Sequence, residues 1–291
     1  MPFRKREEHF QPKLSILLPA HKSSRTILLA LASTLLFKPK NSEVLVFLDG
    51  NNTNSQFLER AAKRKDVRVF KSAKVLGISG ALNFLLDESS STIVARMDAD
   101  DICLPGRFHK ATKLISQGKS DFVFLNAILF GKDLAPFFFV LQPPIRLRPE
   151  QSEAMLVLAN PFCHPTMVAR KASIQGLGSY RSSVAEDYDL WLRAQAAGLR
   201  LTRLRSYGLL YRRHPDQHTK QAFFQEREKS DELLQNSKRG LRVIYASKNG
   251  ISPQDETLDS IIVETLSKSS FWLGFQLRTL PKILSLLKIR L

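Results

Sequence analysis

The chain is poor in the features that define several protein classes. It has only 2 cysteines in 291 residues. Cys103 and Cys163 are far apart and form no Cys-x-x-Cys pair, which excludes a disulfide framework and a zinc ribbon and predicts a reducing, cytoplasmic compartment. No stretch reaches the roughly 18 uninterrupted apolar residues of a membrane-spanning helix; the nearest, FWLGFQL at 271–277, is halted by Arg278. The basic start MPFRKREEHFQPKL is not followed by the apolar core of a secretory signal, so export by that route is not expected. The first strand-to-helix turn lacks Gly-x-Gly-x-x-Gly, which argues against a dinucleotide oxidoreductase. Acids are in deficit, at 27 against 44 Lys plus Arg, for a formal net charge of +17. An anionic partner follows, and nucleic acid, anionic lipid and phosphorylated substrates all qualify on charge. The cations are spread along the chain without interleaved aromatics or a recognised motif, so no nucleic-acid partner is expected.

Core material is abundant. With 43% hydrophobic residues, 24% charged residues and 19 Phe, the chain has the composition of a folded, enzyme-sized body. Its length suits one large domain or two small ones. In the first hundred residues, β-rich runs alternate with segments of helical apolar spacing, the pattern of an α/β unit. LSILLP (14–19), VLVFLD (44–49), VRVF (67–70) and TIVARMD (92–98) read as strands. SSRTILLALASTLLF, NSQFLERAAKRK and SGALNFLLDE read as helices, the first and third opened by a serine suited to N-capping. A largely parallel sheet with covering helices results, and such sheets bind ligands at the carboxyl ends of their strands. Those ends are Pro19 to His21, Asp49 to Asn52 and Asp98 to Asp101.

Further along, DFVFLNAILF and APFFFVL are hydrophobic, and QPPIRLRPE carries three prolines that predict a loop. A short helix around 151–159, the segment NPFCHPTMVARKA and a helix from AEDYDLWLRAQAAG ending at Gly198 follow. From about 219 the chain turns to long helical periodicity with many charges.

Three polar clusters carry possible chemistry. Arg96-Met97-Asp98-Ala99-Asp100-Asp101 ends a predicted strand in three carboxylates. Like charges this close raise one another's pKa unless a cation sits among them, and Mg²⁺ or Mn²⁺ with oxygen ligands would serve. An acidic loop capping the next helix fits the triplet equally well. Glu186-Asp187-Tyr188-Asp189 either complements the dipole of the helix it opens or supplies a general base. Tyr211 to His218 is either a basic surface loop or a diphosphate holder, with Arg212 or Arg213 as a planar donor and His214 as metal ligand or phosphate donor. His21, after the first strand, is equally ambiguous.

Taken in order, LSILLPAHK, VLVFLDGNN, GISGALNFLLDESSSTIVARMDADDICLPGRF, HPTMVARKA, GLGSYRSSVAEDYDLWLRAQAAG and LLYRRHPDQHT resemble family 2 inverting glycosyltransferases of the GT-A fold, of the bacterial cell-surface polysaccharide type. The resemblance runs from about Leu14 to His218. It implies a Rossmann-like mixed sheet flanked by helices, with a C-terminal helical extension. The corresponding domains are a basic extension over 1–12, a catalytic domain over 13–218 and a helical extension over 219–291 with a basic amphipathic end. Within the catalytic domain, 13–105 would bind nucleotide and 106–218 the acceptor.

The resemblance also assigns roles. Pro19 and Ala20 fall at the donor's base, His21 is counted with the donor-binding residues, and Asp49 matches the acid that bonds uracil. Gly77 through Asn83 lies beside the nucleotide. Asp98, Asp100 and Asp101 match the DxD region, with Asp98 toward the ribose and Asp100 as direct metal ligand. Asp187 matches the catalytic base, with Glu186 as its alternate. Arg212 and His214 stand in a degenerate closing motif that would add positive charge at the diphosphate. The implied reaction is a metal-dependent single displacement from a nucleotide-diphosphate sugar, UDP foremost, onto a saccharide or lipid-linked acceptor. LLYRRHPDQHT lacks the Trp of processive synthases, so one sugar per encounter is expected. A rival reading keeps the fold and makes the chain a catalytically silent binding or scaffold subunit.

The last segment, SSFWLGFQLRTLPKILSLLKIRL, mixes apolar residues with Arg278, Lys282, Lys288 and Arg290 and has no acid. It reads either as an amphipathic stretch on the anionic inner face of a membrane or as a helix packed on the catalytic domain.

Overall fold

The computed structural model describes residues 13–21, 26–50, 56–131, 145–213 and 223–269. Their centre is an eight-stranded mixed sheet. Its strands are β1 (Leu14–His21), β2 (Ser42–Asp49), β3 (Val67–Ser72), β4 (Ile93–Arg96), β5 (Ile102–Cys103), β6 (Phe122–Gly131), β7 (Val168–Arg170) and β8 (Leu201–Arg213), in the order β3-β2-β1-β4-β7-β6-β8-β5. The first four in chain order run parallel, as their sequence spacing predicted. β7 is antiparallel to β4 and β6, and β5 to β8, while β6 and β8 are parallel. β1 and β2 are buried on both faces, which is why they read as unbroken apolar runs.

Alternate strand residues feed two cores. One face, with Ile16, Leu18, Val44 and Val123, is covered by α1 (Thr26–Phe37), α2 (Gln56–Ala62) and α4 (Arg107–Ser116). The other, with Leu17, Phe47, Phe122 and Phe124, is covered by α3 (Gly77–Glu88), α5 (Pro149–Leu158), α6 (Lys171–Gly176) and α7 (Glu186–Ala196). α5 begins on Pro149, where a missing N–H goes unneeded.

Beyond residue 219 come α8 (Phe224–Ser230), α9 (Glu232–Lys248) and α10 (Leu258–Ser269). α9 and α10 bury Leu234, Leu241, Tyr245, Leu258 and Ile262 in the same core as α5 and α7. Asp231 fastens this addition. Its carboxylate caps α9 through the Leu234 N–H at 3.1 Å and accepts from Ser183 Oγ and the Val184 N–H, both at 2.7 Å. Among the described residues no helix is long and apolar enough to cross a membrane. The segment from 270 to 291 lies outside them, and both cysteines are free.

Candidate active site

β4 delivers the first acidic cluster at the carboxyl edge it shares with β1 and β2. One oxygen from each of Asp98, Asp100 and Asp101 lies within 4.8 Å of the other two. Asp98 pairs with the buried guanidinium of Arg96. Asp101 is 1% exposed, and its Oδ1 accepts from the Arg212 backbone N–H at 2.7 Å. Its Oδ2 is buried with no hydrogen-bond partner among the described residues. Burial first, then the charges of Asp98 and Asp100, hold this carboxyl well above its ordinary range. An orphaned carboxylate oxygen beside two more acids is the situation a divalent cation with oxygen ligands relieves, so these residues fit such an ion. Arg212 adds positive charge nearby: its Nε donates to the Asp100 carbonyl at 2.7 Å, and the guanidinium lies over the Phe130 ring. His214 lies outside the described residues.

The strand ends beside this cluster are tightly tied. Pro19 and Ala20 are buried at the end of β1, and His21 is exposed, with Nδ1–H donating to the Asp49 carbonyl at 2.9 Å. The Asp49 carboxylate accepts the Leu76 N–H at 2.7 Å and the Gly77 N–H at 2.9 Å. It thereby caps α3 from another strand. The helix starts at Gly77, whose φ of +72° favours glycine, two residues before the serine expected to cap it. Ser79 instead donates to the Arg181 carbonyl at 2.9 Å. Asn83 makes a reciprocal pair with the Tyr180 backbone, donating at 2.9 Å and accepting at 3.0 Å. α3 is thus bonded to the loop before α7.

The second acidic cluster divides on folding. Asp189 is fully buried and paired with Arg181 and Arg193, and it accepts from Ser237 Oγ of α9 at 2.9 Å. It is a structural pin. Asp187 is part-buried; its carboxylate accepts from Asn160 Nδ2 at 3.0 Å and from the Tyr188 N–H at 2.7 Å. Burial, with the Glu186 charge, raises its pKa. Glu186 Oε1 lies 3.6 Å from Nδ1 of the buried His164. Burial and then the Arg96 charge push His164 down to about 3, so at neutral pH this is a neutral imidazole beside a carboxylate.

Arg96 and His164 bring the two clusters into one electrostatic neighbourhood. Arg96 feels both Asp98 and Glu186; burial disfavours its charge, but Asp98 foremost, with Tyr180 and Glu186, raises its pKa. His164 feels both Asp187 and Asp98. The fully buried Arg107 holds the segments together, donating to the Arg96 and Pro165 carbonyls. Sequence reading assigned no role to Arg96, Arg107, Asn160 or His164, because nothing in their spacing marks which carbonyls and acids they will meet.

The family model for glycosyl transferase family 2 matches residues 15–177, over half of the chain, and the chain belongs to that family. The amylovoran biosynthesis glycosyltransferase AmsE of Erwinia amylovora is 34% identical over 129 residues, covering 43% of this chain and 46% of that protein. The match therefore spans under half of the Erwinia protein's length. A UDP-Gal:alpha-D-GlcNAc-diphosphoundecaprenol beta-1,3-galactosyltransferase of Escherichia coli is 26% identical over 194 residues, 64% of this chain and 69% of its own. Among solved structures, S. aureus TarS in complex with UDP has a TM-score of 0.59 at 18% identity, over 92% of this chain and 75% of that one. The GT-A fold expected from the motifs is the fold observed.

Proposed function

We propose that the chain is an inverting glycosyltransferase that moves one sugar from a UDP-sugar to a saccharide or lipid-linked saccharide during bacterial cell-surface polysaccharide assembly. The observation that carries this reading is the shared neighbourhood of two unlike acidic groups: three clustered carboxylates and, through Arg96 and His164, a separate part-buried Asp187. The relatives support the substrate classes. The E. coli protein is named for UDP-Gal and a diphosphoundecaprenol acceptor, the Erwinia protein for amylovoran biosynthesis, and TarS was solved with UDP and with UDP-GlcNAc.

In this reading Pro19, Ala20, His21 and Asp49 form the wall beside the base. Each Asp49 oxygen takes one backbone N–H, and a carboxylate has capacity for a further donor. Gly77 opens α3 beside the nucleotide, and Asn83 supports that wall through Tyr180. Asp100 with Asp98 and Asp101 would hold Mn²⁺ or Mg²⁺, which when bound supplies positive charge to a leaving diphosphate. Arg212 adds a fixed cation there. The acceptor hydroxyl gives its proton to Asp187 as its oxygen bonds to the anomeric carbon. The bond from that carbon to the diphosphate oxygen breaks, its electron pair leaving with the UDP. Entry opposite the leaving group inverts the centre. A raised pKa suits Asp187 to the proton transfer, because a base works best near the operating pH. Glu186, beside His164, is the alternate base.

The protein is expected in the cytoplasm, peripheral on the inner face of the membrane. The test is donor hydrolysis: the purified chain with Mn²⁺ releases UDP from one member of a UDP-sugar panel, and Asp100→Ala and Asp187→Asn lose that release. If no nucleotide sugar is either hydrolysed or able to raise the melting temperature, the transfer reading falls.

A further inference from the structure

On the sheet face covered by α1, α2 and α4, a cleft of about 400 Å³ opens between α4, the residues leading into α5 and the middle of β8. Lys110, Lys113, Arg146 and Arg205 line it, and among the described residues no acid does. Among the described residues none of the four has a carboxylate partner. Its walls also include Leu114 and Leu204. Lys110 and Lys113, three apart, share one side of α4, while Phe108, Ala111 and Ile115 face the core.

The opposite wall is built by a bulge. β8 pairs Arg203 with Phe124 and next Tyr207 with Asn126, so Leu204, Arg205 and Ser206 stand opposite Leu125 alone. The surplus is displaced from the ladder, and such bulges re-aim side chains. Asn126, 2% exposed, fixes it: Nδ2 donates to the carbonyls of Leu204 at 2.7 Å, Ile145 at 3.2 Å and Ser206 at 3.3 Å. Its Oδ1 accepts the Ile145 N–H at 3.1 Å. One buried amide therefore sets both the bulge bearing Arg205 and the segment bearing Arg146.

Four unpartnered cations around two leucines match an anion attached to an apolar body, because the charged heads reach water while their stems line the wall. A free phosphate would leave the leucines unused. Among the described residues no aromatic lines the cleft to stack a base, as single-stranded nucleic acid would need. We propose that this cleft binds the headgroup of an anionic phospholipid and docks the catalytic domain on the bilayer surface, independently of the 270–291 segment and of the transfer reaction.

The test is co-sedimentation of the full chain with phosphatidylglycerol-containing vesicles, with phosphatidylcholine vesicles as control. The parent protein should sediment with the first only. Lys110→Gln combined with Lys113→Gln should weaken partitioning about tenfold or more, since each cation contributes strongly near an anionic surface. Arg146→Gln with Arg205→Gln should weaken it similarly, and Lys110→Arg with Lys113→Arg should retain it. Each variant should keep the parental melting temperature and UDP release. A folded glutamine variant that sediments like the parent would overturn the proposal. So would a parent protein that ignores the vesicles, whether inorganic phosphate stabilises it through the same residues or generic DNA is shifted by it.

Discussion

The acidic runs at 98–101 and 186–189 look alike as letters, yet folding treats them in opposite ways. In the first, all three acids gather, with the guanidinium of Arg96, from their own strand, engaging Asp98 and that of Arg212 donating to the Asp100 carbonyl. Asp101 is left with a raised pKa and a buried oxygen that has no partner among the described residues. In the second, Arg181 and Arg193 converge on Asp189, and among the described residues Asp187 receives only neutral donors. What distinguishes the clusters is where the cations are. A group of acids short of internal cations suits an external one, whereas an acid cleared of cations and partly desolvated is left to accept a proton.

That contrast can be broken experimentally. The largest effect belongs to Asp187→Asn, which should lower the transfer rate about 10²–10⁴-fold, the usual range for a lost general base. Its melting temperature at neutral pH should be no lower than the parent's. Folding raises the Asp187 pKa, so this residue's contribution to stability is lost as pH climbs above the ordinary carboxylate range, and asparagine removes the penalty. Parental rates in this variant would move the base to Glu186. Asp189→Ala should act the other way, destabilising by about 3 kcal/mol in urea titration because two arginines lose a fully buried partner.

Acid should sharpen the difference between the buried imidazole and its surroundings. The folded pKa of His164, about 3, lies below its free value of 6.5, so the unfolded chain binds more protons between those limits. Stability therefore falls as pH drops from 6.5 toward 3, and His164→Gln should flatten that part of a melting-temperature profile. The smallest effect is Asp49→Ala, which removes both acceptors at the start of α3 and should cost about 1 kcal/mol, read from the shift in urea midpoint.

Much of the scaffold was legible in the residues. The four parallel strands, the helices between them, the helix ending near Gly198 and the placement of acids at strand and helix ends all follow from local spacing. The start of α3 did not, because its cap is Asp49, 27 residues from Leu76. Asn83 falls in the segment that the family resemblance sets beside a nucleotide, but its bonds run to Tyr180, 97 residues on. Asn126 lay inside a hydrophobic run and gave no sign of the bulge it holds. In each case the partner is remote in sequence, and periodicity carries no information about which remote group arrives.

The sequence by itself determined the family, the alternation of strands and helices, and the chemical types available at the carboxyl edge of the sheet. These depend on short-range spacing, side-chain shape and the order of motifs. Tertiary structure alone decided which acid is neutralised, which is left desolvated and which cations stand together. Those outcomes depend on burial and on charges meeting across long separations, as when the Arg212 N–H reaches Asp101 over 111 residues.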